Sequence, residues 1–333
     1  MAHLRTIRRS MIALPICAVA LISTGTASSA PVQQLSIQSV NEAQFSAARP
    51  KGLSAAVLKA QVLLDRAGYS PGVIDARDGD TFKKALAAFQ RNNGLTASGR
   101  LDQATWTRLT ENAAPVLTEY VTTDADVKGP FTAKIPSKLE DMAKLDRLGY
   151  KSARELLAEK FHMDEQLLER LNRGKAFDGA GTTLVVANVE REAARQKVTK
   201  IEVDKAERSL RAFGQDGDLL GFFPASIGSR DKPAPTGTFK VRAVRDNPTY
   251  HYDPRFGFKG VKSRHKFTIA PGPNNPVGVV WIDLTAPSYG IHGTPDPSKV
   301  SKTFSHGCIR LTNWDARRLA RMVAKGTTVV FLQ

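Results

Sequence analysis

The hydrophobic residues of this chain follow two different periods, and this change is the strongest constraint on its fold. In the first part, apolar side chains recur at intervals of three or four, as in Phe82, Leu86 and Phe89, which is the period of an amphipathic helix. After Gln196 the pattern changes to short alternating segments separated by turn residues, as in Lys200-Ile201-Glu202-Val203. We therefore expect an α-rich first part and a mainly β last part.

Length and composition favour two or three folded units. A length of 333 residues exceeds one average domain, and 41% hydrophobic content is too high for a disordered chain. Pro115, Pro130 and Pro136 interrupt the region between the helical and β parts, as in a linker or an irregular segment. The predicted segments are a signal peptide at 1–30, a flexible leader at 31–52, a three-helix module at 53–112, a linker with an α-rich spacer domain at 113–197, and a mainly β domain at 198–333.

The first thirty residues have the composition of a signal peptide. Arg5, Arg8 and Arg9 precede the apolar run 11–22, and small residues lead up to a cleavage site after Ala30. The apolar run is about twelve residues long, whereas a bilayer span needs about twenty. We predict an exported protein with no stable membrane span after cleavage; an uncleaved anchor is the alternative.

Charge and cysteine content become more informative once this segment is removed. The net charge of +16 falls to +13, and residues 198–333 carry +10 of it. Such a charge favours an anionic partner, but export makes nucleic acid an improbable one, so we predict no nucleic acid partner. Cys17 leaves with the signal peptide, and Cys308 is then the sole cysteine of the mature chain. It is either an inert buried thiol or a nucleophile.

Two histidines approach this thiol in sequence. His292 lies in a Gly-Ile-His-Gly-Thr segment, and His306 lies two residues before Cys308. A thiol becomes a useful nucleophile only as the thiolate, which requires a base or a cation within hydrogen-bond reach. The adjacent Gly293 and Gly307 would let backbone N–H groups approach a substrate oxygen. The pattern therefore indicates cysteine nucleophilic catalysis.

A zinc site is the competing interpretation of these residues. His292, His306 and Cys308 are all legitimate zinc ligands. However, no Cys-x-x-Cys or His-x-x-x-His pair accompanies them, and His306 and Cys308 alternate along one segment. The chain also lacks the Gly-x-Ser-x-Gly elbow of many serine hydrolases. We therefore expect no metal and no cofactor.

Four longer segments, taken together, resemble the L,D-transpeptidase catalytic domain of the YkuD type, and the resemblance covers residues 198–333. These segments are 234–239, 271–278, 291–294 and 305–311. The resemblance implies that Cys308 is the nucleophile and His292 the general base. It also implies an oxyanion hole and a site shaped by residues beside them: Gly307, His306, Gly293 and Ser305. The backbone N–H groups of Gly307 and Cys308 would be the oxyanion donors, and the Gly293 carbonyl would orient the base.

The same resemblance implies a reaction in two acyl transfers. Cys308 would attack the carbonyl after the third residue of a peptidoglycan tetrapeptide stem, and the terminal D-alanine would leave. An amine would then open the thioester, either from another stem or from an outer-membrane protein or lipoprotein. Opening by water would instead make the protein an L,D-carboxypeptidase. A catalytically silent wall-binding protein is the third alternative.

Two further residues are predicted to line the substrate site. Arg310 would hold a stem carboxylate or organise the Cys308 loop, with a structural ion pair as the equal alternative. Tyr250 falls where the family has a loop bordering the substrate groove, and we expect it in the groove wall. His162 and His265 are expected to do no chemistry, and His162 to lie at the surface.

The three-helix module resembles the small peptidoglycan-binding helical domain found beside bacterial cell-wall enzymes. The likeness rests on Gly68-Tyr69, the Ala88-Phe89-Gln90 triplet and Thr105-Trp106. Its large aromatic side chains are expected to form the core. The spacer, read as helix, helix and strand, weakly resembles a LysM repeat, although no opening strand is evident. These features predict a periplasmic protein associated with the cell wall.

Overall fold

A computed structural model gives the fold, and it describes residues 1–3, 35–48, 50–190, 196–256, 261–305 and 307–332. The predicted signal peptide lies outside this range except for its first three residues, and His306 lies outside it as well. In the described residues, no helix is both long enough and apolar enough to cross a membrane.

The first part of the described chain is helical. Helix α1 spans Ile37–Asn41, α2 Ala55–Ala67, α3 Asp80–Asn92 and α4 Gln103–Thr110. The last three form the predicted module, and caps explain two of their starts: the side chain of Ser54 accepts the Val57 N–H and that of Asp102 accepts the Thr105 N–H. As predicted, the large aromatic side chains of this module are buried in the core, at 1–5% exposure: Phe82, Phe89 and Trp106.

Helix α1 corrects the predicted flexible leader at 31–52. Val40 is fully buried, and the Asn41 side chain bonds the chain segment at Leu117 in both directions. Its Nδ2 donates to the Leu117 carbonyl at 3.0 Å, and its Oδ1 accepts the Leu117 N–H at 2.9 Å. The leader prediction is wrong for these residues because a contact 76 positions away, which periodicity cannot detect, orders them.

The spacer is framed by two paired strands. Strand β1 spans Leu117–Val121, followed by α5 (Asp124–Val127), α6 (Leu139–Met142), α7 (Ala153–Lys160), α8 (Glu165–Leu171) and β2 (Thr183–Ala187). Strands β1 and β2 are antiparallel, with Leu117 opposite Ala187. Strand β1 is the opening strand that sequence analysis does not find, because it follows directly on a proline-containing segment.

The remainder of the chain is mainly β, as predicted. Its strands are β3 (Lys200–Asp204), β4 (Ser209–Phe213), β5 (Leu219–Pro224), β6 (Ser226–Ile227), β7 (Gly237–Asp246), β8 (Tyr250–Tyr252), β9 (Phe267–Ile269), β10 (Val280–Leu284), β11 (Gly290–His292), β12 (Ile309–Arg310) and β13 (Thr328–Leu332). Within the described residues, nine of them form one sheet in the order β5-β4-β3-β13-β7-β10-β11-β12-β6, and β8 pairs with β9. Helix α9, Asn313–Met322, is capped by the Thr312 side chain.

The helical module and the spacer share one hydrophobic core. Leu58 and Phe82 of the module belong to the same buried cluster as Leu167 and Leu184 of the spacer. Phe222, on strand β5, also belongs to this cluster. A separate cluster fills the β domain, with Ile201, Ile282 and Leu319 among its members. The β domain thus has its own core and also contributes the Phe222 side chain to the core that the module and the spacer share.

A polar cluster joins the three parts of the chain. His162, after α7, ion-pairs with Asp65 of α2 at 3.2 Å and stacks on Trp314 of α9 with ring centres 5.1 Å apart. Ser70 donates to the buried carboxylate of Asp315 at 2.8 Å. The prediction that His162 is a surface residue is wrong: only 22% of its side chain is exposed.

The pKa values of two groups in this cluster, Asp315 and His162, are raised. Burial raises the pKa of Asp315 to about 7, and the neighbouring charge of Asp65 adds to that effect. For His162, burial alone would lower the pKa, but the charge and hydrogen bond of Asp65 outweigh it and raise the pKa. Both groups therefore bind protons more tightly in the folded chain than in the unfolded chain.

We predict that Asp315→Asn weakens the pH dependence of stability. Because the pKa of Asp315 is raised on folding, the folded chain binds more protons than the unfolded one between about pH 4 and 7, so this carboxyl lowers the free energy of unfolding as pH rises. Between about pH 4.5 and 8, the free energy of unfolding of the variant should rise by about 1–3 kcal/mol relative to that of the wild type. Urea unfolding at the two pH values measures this.

The matched control is Asp216→Asn in the exposed turn between β4 and β5. This control should change with pH in parallel with the wild type. An Asp315→Asn curve that also runs parallel to the wild type contradicts the prediction.

Candidate active site

Strand register brings four side chains into one row on the sheet. Arg245 on β7 is paired with Trp281 on β10, Trp281 with His292 on β11, and His292 with Arg310 on β12. Directly paired residues point to the same face of a sheet, so these side chains lie side by side. Cys308 immediately precedes β12. The sheet therefore sets the cysteine beside the end of the histidine-bearing strand.

His292 is held in one orientation and one tautomer. The ring is 4% exposed, and Nδ1 donates to the Gly293 carbonyl at 2.7 Å. Because a carbonyl only accepts, the proton of the neutral ring lies on Nδ1 and Nε2 is left as the basic atom. The Trp281 ring stacks on the imidazole, with centres 5.5 Å apart and planes 16° from parallel.

The side chain of Asn313 holds the loop that follows His292. Its Oδ1 accepts the N–H groups of Thr294 at 3.1 Å and Val279 at 3.3 Å. Its Nδ2 donates to Glu159 of α7 at 2.8 Å. A Cβ on Gly293 would lie 2.2 Å from Oδ1, so only glycine allows this approach.

Cys308 lies in a tightly bonded loop. Its thiol points to the Ser288 carbonyl, with Sγ and O 3.8 Å apart. The Ser305 hydroxyl donates to the Cys308 carbonyl. Gly307 has a φ of +106°, and a Cβ there would lie 2.8 Å from the Tyr289 ring. A left-handed glycine is therefore required directly before the thiol.

Both reacting groups are neutral at rest. Burial raises the pKa of Cys308 above its ordinary value, against the opposing effects of the Gly290 N–H and the charge of Arg310. Burial and, to a smaller extent, the charge of Arg310 lower the pKa of His292 to about 3. At neutral pH the site holds a thiol and an uncharged imidazole, and no preformed ion pair.

Cys308 and His292 line the same groove, which has a cavity volume of about 1240 Å³. The predicted residues that line it are Cys308, His292, Ser305, Arg310 and Tyr250. Gly293 and Gly307 adjoin the base and the thiol, whereas His306 falls in a gap of the description. Burial and the charge of Cys308 raise the pKa of Tyr250, so its phenol stays protonated.

Two roles are predicted for Arg310: a contact with a stem carboxylate or the Cys308 loop, and a structural ion pair. Among the described residues no ion pair involves it, and its Nε is buried without a hydrogen-bond partner. Burial lowers the pKa of Arg310, and the thiolate form of Cys308 and the charge of Asp296 oppose that effect. Arg310 thus faces the thiol as an unpaired cation.

Sequence reasoning missed several residues that shape this site. Trp281, Ser288 and Asn313 each contact a reacting group or its loop. Trp281 is the one with a local signal, because it is a large aromatic residue at alternate spacing in a strand pattern. Separately, no cluster of three or more potential metal ligands occurs in the described part of the chain.

Fold and site together define a chain in which a helical module and a spacer precede a mainly β domain with a cysteine and a histidine in one groove. Residues 199–331 match the family model of the L,D-transpeptidase catalytic domain (YkuD). Residues 54–109 match the model described as "Putative peptidoglycan binding domain". Two separate regions of the chain thus match an L,D-transpeptidase catalytic domain and, before it, a peptidoglycan-binding domain, which confirms the predicted resemblances and their order.

Individual relatives agree with this assignment. The "Putative L,D-transpeptidase YkuD" of Bacillus licheniformis is 31% identical over 130 residues, which is 39% of this chain and 63% of that protein. The "Putative L,D-transpeptidase YqjB" of Bacillus subtilis is 32% identical over 120 residues, which is 34% of this chain and 61% of that protein. The chain thus spans less than two thirds of the length of these relatives.

Solved structures of L,D-transpeptidases are similar to part of the chain. One from Mycobacterium smegmatis is 19% identical, with a TM-score of 0.34 over 48% of this chain and 76% of that one. L,D-transpeptidase 3 from Mycobacterium tuberculosis is 17% identical, with a TM-score of 0.35 over 45% of this chain and 68% of that one.

We predict that Cys308 of the substrate-free protein is a protonated thiol at neutral pH and is alkylated only through its small thiolate fraction. Because its pKa lies above the ordinary value, the thiolate fraction at neutral pH is small and grows about tenfold per pH unit. The rate constant for iodoacetamide alkylation should therefore rise about tenfold per unit between about pH 6 and 8. Mass spectrometry of the Cys308 peptide measures it, and a small-molecule thiol is the control. A rate that is constant across this range contradicts the prediction.

Proposed function

We propose that the protein is a cysteine-dependent L,D-transpeptidase acting on peptidoglycan tetrapeptide stems through a Cys308 thioester. The observation that carries the proposal is the pair in the groove: a thiol, and an imidazole whose proton is held on Nδ1 by Gly293. Nε2 is then free to accept the thiol proton, which is the arrangement that activates a nucleophile. The matches to the two family models support the choice of substrate.

The first acyl transfer uses the two neutral groups together. As Cys308 Sγ attacks the carbonyl carbon of the third stem residue, its proton passes to His292 Nε2. The tetrahedral oxyanion is stabilised by the backbone N–H groups of Gly307 and Cys308 and by the charge of Arg310. The bond to the terminal D-alanine then breaks, and His292 returns the proton to the departing amine. A thioester on Cys308 remains.

The second transfer reverses these steps. An acceptor amine attacks the thioester carbon, His292 takes a proton from that amine, and the proton returns to Cys308 as the new amide forms. The donor bond energy is conserved in the thioester, so the exchange needs no ATP, metal or cofactor. Ser305 and His306 shape the Cys308 loop in this scheme, Gly293 orients the base, and Tyr250 forms part of the groove wall.

The acceptor distinguishes the possible outcomes of this chemistry. An amine from a second stem gives a wall cross-link, and an amine from an outer-membrane protein or lipoprotein attaches that protein to the wall. Water would release a tripeptide stem instead. We propose that the protein is exported to the periplasm and held at the wall by the helical domain at residues 54–109. Apart from the leader at 31–52, we keep the domain boundaries predicted from the sequence.

We predict that Cys308→Ala abolishes release of D-alanine from a tetrapeptide stem, because no thioester can form. His292→Gln should lower kcat/KM by about 10²–10⁴, which is the usual contribution of a general base. Liquid chromatography and mass spectrometry of the products measure both effects, and an adduct of a carbapenem on Cys308 reports the acyl-enzyme directly.

The matched control is His265→Gln, an exposed histidine outside the groove. It should retain wild-type activity, and all variants should keep the wild-type melting temperature. A Cys308→Ala protein that still converts tetrapeptide stems would refute the proposed function. Cross-linked products indicate transpeptidation, whereas tripeptide stems alone indicate a carboxypeptidase.

A further inference from the structure

The groove of the catalytic domain is completed by residues from outside that domain. Ser137, Lys138 and Leu139 of the spacer line it together with Cys308 and His292. They lie at the start of helix α6, which follows the irregular segment after α5. A site built only from residues 199–331 would lack this wall.

Main-chain hydrogen bonds hold the spacer against the catalytic domain beside the groove. The Leu148 N–H donates to the Pro271 carbonyl at 3.1 Å, and the Leu148 carbonyl accepts the Asn274 N–H at 3.0 Å. The Asn274 side chain donates to the Gly149 carbonyl at 2.9 Å. A Cβ on Gly272 would lie 2.1 Å from the Leu148 oxygen, so the two backbones touch there. Hydrogen bonds and close packing thus hold residues 148–149, which follow this wall in the spacer, against the catalytic domain.

Glu140, next to the lining residues, ties α6 to a second wall. Its carboxylate accepts the backbone N–H groups of Lys262 at 2.9 Å and Ser263 at 3.2 Å. The backbone N–H of Glu140 itself and these two bonds lower the pKa of Glu140, so the carboxylate is charged at neutral pH. The neighbouring Val261 also lines the groove. The position of residues 137–139 is therefore coupled through Glu140 to the loop at residues 261–263.

Lys138 presents an ammonium group that is available for a ligand in the groove. Of the other cations in the groove, Arg242 is bonded to Asp283 at 2.7 Å, Arg310 is largely buried beside the thiol, and Lys232 has an interaction of its own. The side chain of Lys138 is exposed and makes no hydrogen bond or ion pair with any described residue, although its charge interacts with that of the nearby Asp141. Asp141, on the same helix, is bonded to Lys144 at 2.8 Å. Arg245 is also without such a partner, but it belongs to the row beside His292.

We propose that Lys138 of the spacer is a specificity-determining residue that recognises a free carboxylate on the bound stem peptide. This inference rests on the proposed function, because it assumes that the stem occupies the groove. An ammonium group at the groove edge attracts a carboxylate and discriminates against the neutral amide of the same shape. The spacer therefore takes part in choosing the substrate.

The test is a binding measurement in the full chain with Cys308→Ala, so that turnover does not interfere. Isothermal titration compares two tetrapeptide stems that have diaminopimelate as the third residue and differ only in its side-chain carboxyl, which is free in one and amidated in the other. Adding Lys138→Gln should weaken binding of the free-carboxylate stem about three- to tenfold and leave the amidated stem within about twofold. This selectivity should shrink as the salt concentration rises.

Lys134→Gln is the matched control, because Lys134 is an exposed lysine of the same segment that does not line the groove. It should change neither affinity. If the parent binds the stems and Lys138→Gln binds both as the parent does, or loses both equally, the inference is overturned while the proposed function stands. If the parent binds neither stem, the substrate of the proposed function is wrong and the inference falls with it.

Discussion

The amide of Asn313 is the interaction on which the geometry of the site depends. Its oxygen holds two backbone N–H groups beside the His292 loop, and its nitrogen is bonded to Glu159 and to the Pro273 carbonyl. The side chain is fully buried, and each lost partner would leave a polar group unsatisfied at a cost of about 1–3 kcal/mol. Because Glu159 belongs to the spacer, the base loop and the spacer form one network.

Burial determines the chemistry of the reacting pair. The same removal from water raises the pKa of the Cys308 thiol and lowers that of the His292 imidazole. In the proposed mechanism, proton transfer between them therefore has to accompany attack on the substrate. Arg310 favours the thiolate and disfavours the imidazolium, so its charge assists loss of the thiol proton and opposes acceptance of that proton by His292. A substrate that brings its own charge into the groove changes this balance.

The parts of the chain are more closely joined than a series of independent domains. The helical module and the spacer share one core, Phe222 of the β domain belongs to it, and the cluster around His162 and Asp315 spans all three parts. The spacer reaches the site at two places, through Glu159 beneath the base loop and through the wall at residues 137–139. These contacts give the region before the catalytic domain a structural role in the groove.

The sequence by itself determined the helical and β parts and the Cys308 and His292 motifs, because these depend on residues close together in the chain. It also identified Arg310 and Tyr250, which the groove brings together with them. Only the tertiary structure decided that Trp281 stacks on His292 and that Lys138 enters the groove. Hydrogen bonds such as that between Asn313 and Glu159 join residues 154 positions apart. No local period or spacing encodes such pairs, since they arise only when separate elements pack.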